Sequence, residues 1–371
     1  MVTINFRSLA NESIRNLTPY QPGKPIEELE RELGIKNAIK LASNENPLGA
    51  SPAAVQAAID AIKKIHLYPD GNGYEIKNVL SEFLSISPQQ ITLGNGSENI
   101  LELIVKAYLH QGDHAVISEY AFLTIPIILK SYGITIKTAP AHCFGHDIAK
   151  MVHAIDKKTK ILFLVNPNNP TGTYTTESDF LNLMQAVPPD VLVVVDEAYS
   201  EYTQTFNCPN ALNYLKQFPN LIVTRTFSKA YGLASLRLGY SISSFEIADI
   251  LNRARLPFNV NTIASSAACA AIKDQTHVKK SIELNNQGLI QMEDGLKKLR
   301  LNYIPSVCNF VTVHVGDAQK IYTKLLYDGV IVRPLNAYQL SEYVRITIGT
   351  PEQNEKCLAS LYKIVQSYAT V

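Results

Sequence analysis

Five short, largely apolar runs divide the first two thirds of the chain, and polar or glycine-containing sequence follows each of them. The runs occupy residues 91–93, 115–117, 161–165, 191–195 and 221–223. They do not alternate apolar with polar positions, and segments with helical spacing lie between several of them. Such runs are typical of parallel strands that are buried on both faces. The pattern therefore predicts an α/β fold with a mainly parallel sheet covered by helices.

A different pattern begins after about residue 262. Residues 311–315 and 343–348 alternate apolar with polar positions, as strands do when only one face is covered. In the second of these strands the apolar residues share one face, so Arg345 is predicted to project from the other. We expect a smaller α+β C-terminal domain here. The predicted division is an N-terminal arm at 1–48, a large domain at 49–262 and a small domain at 263–371.

Two helix starts are also readable in the sequence. Ser51 followed by Pro52 predicts a capped helix that begins at residue 52. A second helix is predicted over residues 99–109, after a turn that contains Gly94 and Gly96. Free backbone amides at such a start could bind a phosphate, because glycine has no side chain to obstruct them. Many turns of this kind bind nothing, and the third glycine of a dinucleotide-binding fingerprint is missing.

Composition narrows the classes of function. The 371 residues are 46% hydrophobic with a formal net charge of +1, which predicts a large core and neither a nucleic-acid nor a membrane partner. The longest apolar runs are far shorter than a membrane span, and the first residues do not resemble a secretory signal. The five cysteines are scattered without a CxxC pair, which favours reduced thiols in a cytoplasmic protein and no metal site.

Polar or glycine residues gather at the ends of all five predicted strands. They are Gly96 with Ser97, Tyr120, Asn169, Asp196 with Tyr199, and Ser228 with Lys229. Ligands of open parallel sheets bind at the carboxyl ends of the strands. We therefore expect these residues to surround one site.

Lys229 has the most unusual setting among them. Apolar neighbours such as Phe227 and Leu233 flank it in the sequence, and few groups there could pair with an ammonium. Partial burial would lower the pKa of its amine and make it a nucleophile or a base. The alternative is an ordinary solvated lysine.

The set of residues suits a cofactor that carries a phosphate, a carbonyl and a basic ring nitrogen. Lys229 would form an imine with the carbonyl, and a buried Asp196 would keep the ring nitrogen protonated, so that the ring accepts carbanion electrons. The phosphate would be held by Gly96, Ser97, Thr226, Ser228 and Arg237. Structural alternatives are a strand-end cap for Asp196 and core packing for Tyr120.

Three motifs resemble those of the fold-type-I, pyridoxal-phosphate-dependent aminotransferases. They are NNPTG at 168–172, DEAY at 196–199 and SKAYGLASLRLGY at 228–240. Further segments resemble the histidinol-phosphate aminotransferases within that family: LTPY at 17–20, LASNENPLG at 41–49, YP at 68–69, PFNVN at 257–261 and VRITIGT at 344–350. The resemblance extends over nearly the whole chain. It implies the fold-type-I architecture and pyridoxal 5'-phosphate as the cofactor.

The resemblance also implies roles in cofactor binding. Lys229 would be the Schiff-base lysine and Asp196 the partner of the ring nitrogen. Asn169 and Tyr199 would bind the ring hydroxyl, and Tyr120 would stack on the ring. The five residues named above for the phosphate would keep that role.

For the subunit arrangement and the substrate, the resemblance implies two further groups. Tyr68 would reach the cofactor phosphate from the neighbouring subunit, which implies a homodimer with shared active sites. Arg345 would hold the anionic end of the substrate. Three further residues would lie near it: Arg333, Tyr20 and Asn44.

The implied activity transfers an amino group from L-histidinol phosphate to 2-oxoglutarate in histidine biosynthesis, giving imidazole-acetol phosphate and glutamate. Related enzymes act on aromatic amino acids, and a related fold decarboxylates threonine phosphate; the sequence leaves both open. Arg333 and Arg345 together would suit a phosphate dianion, although Arg333 precedes Pro334 in a turn-like stretch and has a structural alternative. A ligand-sensing domain of a transcription regulator is disfavoured, because only a proline-interrupted arm precedes the large domain and the net charge is nearly neutral.

Overall fold

The computed structural model describes residues 5–19 and 22–369, with side chains as far as residue 366. The strands in this part of the chain are β1 (Ile39–Lys40), β2 (Ile91–Gly94), β3 (His114–Ser118), β4 (Thr135–Ala139), β5 (Thr159–Val165), β6 (Leu192–Asp196), β7 (Leu221–Thr226), β8 (Gly239–Ile242), β9 (Tyr303–Ile304), β10 (Phe310–His314), β11 (Val330–Ile331), β12 (Arg333–Leu335) and β13 (Leu340–Thr347).

The α-helices are α1 (Phe6–Leu9), α2 (Glu12–Arg15), α3 (Ile26–Leu33), α4 (Pro52–Ile62), α5 (Tyr74–Leu84), α6 (Ser97–Tyr108), α7 (Thr124–Ser131), α8 (Ile148–His153), α9 (Glu177–Ala186), α10 (Phe245–Ala254), α11 (Thr262–Lys273), α12 (Gln275–Lys298), α13 (Ala318–Tyr327) and α14 (Pro351–Ala369). Short 3-10 helices occupy Pro88–Gln90, Ser200–Thr203, Ala211–Tyr214, Ala234–Leu236 and Asn336–Tyr338.

Seven strands form the large sheet in the order β2-β8-β7-β6-β5-β3-β4. Neighbours run parallel, except that β8 is antiparallel to both β2 and β7. In β5, Phe163 packs into a core with residues of α6, α7 and α10, whereas Leu162 and Leu164 pack into the core on the other face, with α8, α9 and α11. Both faces are buried, which explains the uninterrupted apolar runs and confirms the predicted α/β class. The sequence did not predict β4 and β8, because neither is an uninterrupted apolar run.

Four antiparallel strands form the small sheet in the order β12-β13-β10-β9. Val344 and Ile346 of β13 pack into a core with α12, α13 and α14. Arg345 and Thr347 point to the other face, as the alternation predicts, but they are buried too. That face packs against the large domain and the N-terminal segment, so β13 is covered on both sides.

The packing divides the chain at a different place from the predicted boundary at residue 262. Helix α11 packs on α4 and α5 of the large domain. The long helix α12 crosses between the two cores: Ile282 belongs to the large-domain core and Met292 to the small-domain core. Helix α12 thus joins the two cores, and a change from uninterrupted to alternating patterns cannot locate that junction, because it shows in strands and not in helices.

Part of the predicted arm packs with the small domain. Strand β1 pairs in parallel with β11, and Leu29 and Ala42 form a small core with Ile331. Residues 26–42 are therefore a structural part of the small domain, although almost 300 residues separate them from their partners along the chain.

Helix α4 begins as predicted, with the Ser51 side chain accepting a hydrogen bond from the Ala54 amide and Pro52 in the first position. It buries only alanines, and it turns Val55, Ile59 and Ile62 to solvent, with exposed fractions of 46%, 50% and 50%.

Among the described residues, no helix is both long and apolar enough to cross a membrane.

Gly232 provides a test of the contact between the N-terminal segment and the large domain. It has a φ of +69°, and a Cβ there would lie 2.2 Å from the carbonyl oxygen of Gly49. Gly34 has a φ of +65° with nothing nearby. We expect Gly34→Ala to lower the free energy of unfolding by about 1 kcal/mol through left-handed strain. Gly232→Ala adds a backbone clash and should cost roughly 3 kcal/mol. Urea unfolding of the two variants measures the difference, and equal losses would contradict the contact.

Candidate active site

The carboxyl ends of β5, β6 and β7 meet the start of α6 around one cavity. Many of the residues that the sequence predicted for a site line it. The lining residues are Ser97, Glu98, Phe122, Val165, Asn169, Asp196, Ala198, Tyr199, Thr226, Ser228, Lys229 and Arg237.

Lys229 follows β7 by three residues and extends its amine into this cavity. Its Nζ donates a hydrogen bond to the carbonyl oxygen of Ser43 at 3.2 Å and lies 5.8 Å from the centre of the Tyr199 ring. Burial lowers the pKa of Lys229 to about 8, and the nearby charge of Arg345 adds to the shift. Near neutral pH the amine therefore loses its proton far more easily than an exposed lysine does.

Asp196 ends β6 and is almost fully buried, with 3% of its surface exposed. The Thr224 hydroxyl donates to its Oδ1 at 2.9 Å. Burial raises the pKa of Asp196 to about 6, and the nearby carboxylates of Glu98 and Glu197 add to the shift. Oδ2 receives no hydrogen bond from any described residue, so it can accept one from a ligand in the cavity.

Tyr199 is held in place by Asn44. The Asn44 Nδ2 donates to the Tyr199 hydroxyl at 2.8 Å, and its Oδ1 accepts from the Thr347 hydroxyl at 3.1 Å. Burial raises the pKa of Tyr199, so the phenol stays protonated and can donate a hydrogen bond into the cavity. Both ends of the Asn44 amide are therefore engaged in positioning Tyr199, and a contact of Asn44 with substrate stays a prediction.

Arg345 reaches from β13 of the small sheet to the edge of the cavity. Its Nη1 donates to Asn169 Oδ1 at 2.5 Å and its Nη2 to the Ala42 carbonyl at 2.7 Å. Its guanidinium carbon lies 5.2 Å from the centre of the Phe310 ring. The side chain is buried, and no described residue accepts a hydrogen bond from its Nε. Arg345 therefore brings a fixed positive charge beside Asn169.

An anion cradle lies at the start of α6. No side chain caps this helix, whose preceding residue is Gly96. Gly96 has a φ of +84°, which favours glycine, and a Cβ there would lie 2.6 Å from Nη2 of Arg237 and displace its guanidinium. Arg237 also approaches the Ser228 hydroxyl at 3.4 Å. Free helix amides, hydroxyl groups and a guanidinium together form the arrangement that binds a phosphate.

The structure places Phe122, and not Tyr120, in the wall of the cavity. The Tyr120 ring packs against Phe144 with centroids 6.0 Å apart, and its carbonyl accepts a hydrogen bond from Asn168. Tyr120 remains the predicted stacking residue, and Phe122 is a second candidate for that role. Both aromatic residues closely follow β3, and only the turn before α7 decides which one faces the cavity; the sequence carries no signal that distinguishes them.

Two other predicted residues, Tyr68 and Arg333, do not line this cavity. Tyr68 is 83% exposed, and its ring stacks on Phe258 with centroids 4.8 Å apart. Arg333 lies directly opposite Arg345 in the pairing of β12 with β13. Tyr20 lies outside the described residues. Within the part of the chain that the structure describes, no group of three or more His, Cys, Asp or Glu side chains could hold a metal ion.

Comparison with known proteins agrees with this geometry. The family model for aminotransferase class I and II matches residues 36–361. Histidinol-phosphate aminotransferase 2 of Pseudomonas aeruginosa is 48% identical over 97% of this chain and 99% of its own length. The protein of the same name from Methylococcus capsulatus is 47% identical over 98% of this chain and 100% of its own length.

Solved structures show the same fold. Histidinol-phosphate aminotransferase from Sinorhizobium meliloti, in complex with pyridoxal-5'-phosphate, aligns with a TM-score of 0.89 and 28% identity over 97% of this chain and 98% of that one. A single mutant of Thermus thermophilus aspartate aminotransferase aligns with a TM-score of 0.83 at 20% identity, over 96% and 99% of the two chains. These neighbours confirm the expected fold-type-I architecture. The chain belongs to the class I and II aminotransferase family.

Proposed function

We propose that this protein is a pyridoxal-phosphate-dependent aminotransferase that transfers the amino group of L-histidinol phosphate to 2-oxoglutarate. The products are imidazole-acetol phosphate and glutamate, and the reaction belongs to histidine biosynthesis. One observation supports the chemistry most directly: a lysine amine and a carboxyl line the same cavity, and burial shifts both towards their neutral forms. Identity of almost one half to histidinol-phosphate aminotransferases, over nearly the full length, supports the choice of substrate.

The residues of the cavity fit pyridoxal phosphate. The cradle at the start of α6, with Thr226, Ser228 and Arg237, suits the phosphate group. Oδ2 of Asp196 is available to a protonated ring nitrogen, whose charge would lower the pKa of this buried carboxyl. When bound, the cofactor supplies an aldehyde carbon that takes the amino group and a ring that accepts electrons from the substrate carbon.

Hydrogen bonds and packing would orient the ring. Tyr199 can donate to the ring hydroxyl from a position that Asn44 holds, and Asn169 lies beside it in the cavity wall. Phe122 provides an apolar surface for the ring face. These contacts would keep the reacting carbon next to Lys229.

Lys229 carries the proton in this proposal. Its Nζ would hold the aldehyde carbon of the cofactor until the substrate amine replaces it, and would then take the proton from the α-carbon of the substrate. A pKa of about 8 leaves a useful fraction of the free amine neutral near physiological pH, as a base requires. The second half-reaction uses the same residues in reverse with 2-oxoglutarate, so we expect ping-pong kinetics.

Two arginines support a phosphorylated substrate. Arg333 and Arg345 are directly opposed in antiparallel strands, where Cβ atoms lie about 5 Å apart. Both guanidinium groups can therefore approach one anion. A phosphate dianion can accept hydrogen bonds from both, whereas one bidentate arginine satisfies a carboxylate. The pair favours histidinol phosphate over the aromatic amino acids, and the contribution of Tyr20 to this subsite remains a prediction.

A homodimer would complete the site. The exposed apolar face of α4 continues into Ile65 and Leu67, with exposed fractions of 66% and 59%, and then into Tyr68. Contiguous apolar surface of this kind marks an interface more often than a free surface. Tyr68 lies outside the cavity of its own chain, so it is available to the phosphate site of a second copy.

All five cysteines are free thiols, as expected for a protein of the reducing cytoplasm.

Replacing Lys229 by alanine tests the chemistry. Among the described residues that line the cavity, Lys229 is the lysine. Without its amine the cofactor cannot attach to the protein, so we expect the absorbance of the lysine-bound cofactor to disappear. Transamination should fall at least about 1,000-fold, because both the covalent attachment and the proton carrier are lost. Absorbance spectra with added cofactor, together with a glutamate assay, measure both effects.

Lys77→Ala is the matched control. Burial also lowers the pKa of Lys77 to about 8, but this amine donates to Asn252, outside the active site. The control should keep both the spectrum and the activity. An unchanged spectrum in Lys229→Ala would show that Lys229 does not hold the cofactor.

Replacing Arg333 by alanine tests the substrate. Loss of one charged partner of the phosphate, worth about 1.5–3 kcal/mol, should raise KM for histidinol phosphate roughly 10- to 100-fold. The kcat/KM for phenylalanine should change little. The exposed Arg253, which pairs with Asp249 on α10, gives the control variant Arg253→Ala.

Cofactor absorbance during the half-reaction measures these constants for histidinol phosphate, phenylalanine, tyrosine and threonine phosphate. A higher kcat/KM for phenylalanine or tyrosine in the unmodified protein would overturn the substrate assignment. Release of carbon dioxide from threonine phosphate would instead indicate a decarboxylase.

Replacing both Ile59 and Ile62 by aspartate tests the dimer. Burying two charges in an apolar interface is costly, so we expect sedimentation to show monomers with little transaminase activity. Phe245→Asp changes an apolar side chain that is 55% exposed on α10, outside this surface, and should leave the dimer intact. A monomeric unmodified protein, or a variant that remains fully dimeric, would argue against this interface.

A further inference from the structure

A second cavity lies on the other side of β6 and β7 from the active site. Thr224 and Thr226 of β7 face the active site, and Arg225 between them points the opposite way, as alternation along a strand requires. The cavity that Arg225 borders measures about 290 Å³. A protein cavity of about 150 Å³ is large enough to bind benzene, so this one can hold a small organic molecule.

Four aromatic residues contribute to the walls of this cavity, among mostly polar neighbours. Phe83 and Phe206 lie at its rim, with exposed fractions of 44% and 40%, and Tyr231 and Tyr240 are buried inside. Aromatic rings attract cations through the negative potential of their faces, and the attraction grows when the cation is desolvated. The shape and the lining therefore suit a compact organic molecule that carries a positive charge.

The charges around the cavity leave one carboxylate without a counter-ion. Arg225 is satisfied by Glu197, with its Nη2 and Nε at 2.6 and 2.9 Å from Oε2, and also by Asn210. Glu201 also lines the cavity, and no other described residue forms an ion pair or a hydrogen bond with its carboxylate. Two carboxylates and one guanidinium give the group a net charge of −1 when Glu201 is ionised.

We propose that this second cavity binds a small organic cation, with the Glu201 carboxylate as its counter-ion and the aromatic rings as its walls. Transamination makes no use of Glu201, so this site is separate from the proposed reaction. It is close to that reaction in the chain, because Glu197 directly follows Asp196 and Glu201 is two residues after Tyr199.

Affinity at this site should depend on pH in a defined direction. Burial raises the pKa of Glu201 to about 7, and Arg225 moderates the shift. Two tyrosines and an arginine also face Glu201. Burial raises the pKa values of Tyr231 and Tyr240, so both phenols stay neutral near pH 7. The pairing with Glu197 keeps Arg225 charged. A cation prefers the ionised carboxylate. Binding should therefore strengthen roughly tenfold between pH 6 and pH 8 and then level off.

Titration calorimetry of the holoenzyme with tetramethylammonium chloride tests the proposal, at constant ionic strength and with the active site saturated by cofactor. This probe keeps its charge at every pH, so any pH dependence comes from the protein. Neutral tert-butanol, of similar shape, serves as the uncharged comparison. We expect tetramethylammonium to bind with the stated pH dependence and tert-butanol to bind at least tenfold more weakly.

Glu201→Gln keeps the size of the side chain and removes its charge. It should weaken tetramethylammonium binding more than tenfold and abolish the pH dependence, while the thermal midpoint stays the same or rises because a buried charge is removed. Glu82→Gln removes an exposed charge next to Phe83, outside the cavity, and should bind as the unmodified protein does. Lack of binding, equal affinity in Glu201→Gln, a pH-independent affinity or equal binding of tert-butanol would each overturn the proposal.

Discussion

Arg345 makes the contact on which the arrangement of the active site depends. Its guanidinium extends from the small sheet to Asn169 of the large domain and to a backbone carbonyl of the N-terminal segment. Thr347, on the same face of the same strand, holds Asn44, which in turn holds Tyr199. Three distant parts of the chain therefore meet along one strand. A buried guanidinium needs partners for its donors, and here one partner is a residue of the site and the other a backbone carbonyl of the N-terminal segment, so the packing of the two domains and the assembly of the site depend on each other.

Burial, more than pairing, sets the chemistry of the site. Lys229 and Asp196 carry opposite charges, yet no ion pair joins them. Burial is the main cause at each group, like charges nearby add to it, and each pKa moves towards neutrality. A direct ion pair would have driven both pKa values the other way and fixed the amine in its charged form. The cavity keeps the two groups apart at the ends of neighbouring strands. Lys229 is therefore able to exchange a proton, and Asp196 is able to receive a cation.

Local patterns predicted the buried apolar strands of the large sheet and the start of α4, because these features depend on neighbours in the sequence. Other features depend on tertiary contacts. Asn44 was predicted to lie near the substrate, and no local pattern shows that Thr347, which is 303 residues away, holds its amide. The choice between Tyr120 and Phe122 depends on the backbone path of one turn. The junction inside α12 has no local signal either, because a continuous helix shows no break where it passes from one core to the other.

The pairing of β1 with β11 has a consequence for the order in which the protein folds during synthesis. All seven strands of the large sheet have left the ribosome once Ile242 has emerged, and α11 soon follows, so most of the large core can close early. Leu41, by contrast, waits for Ile331, whose carbonyl accepts the hydrogen bond of its amide. A segment made early is thus among the last to reach its native position. Until then, its apolar residues lack the native partners that bury them in the folded chain.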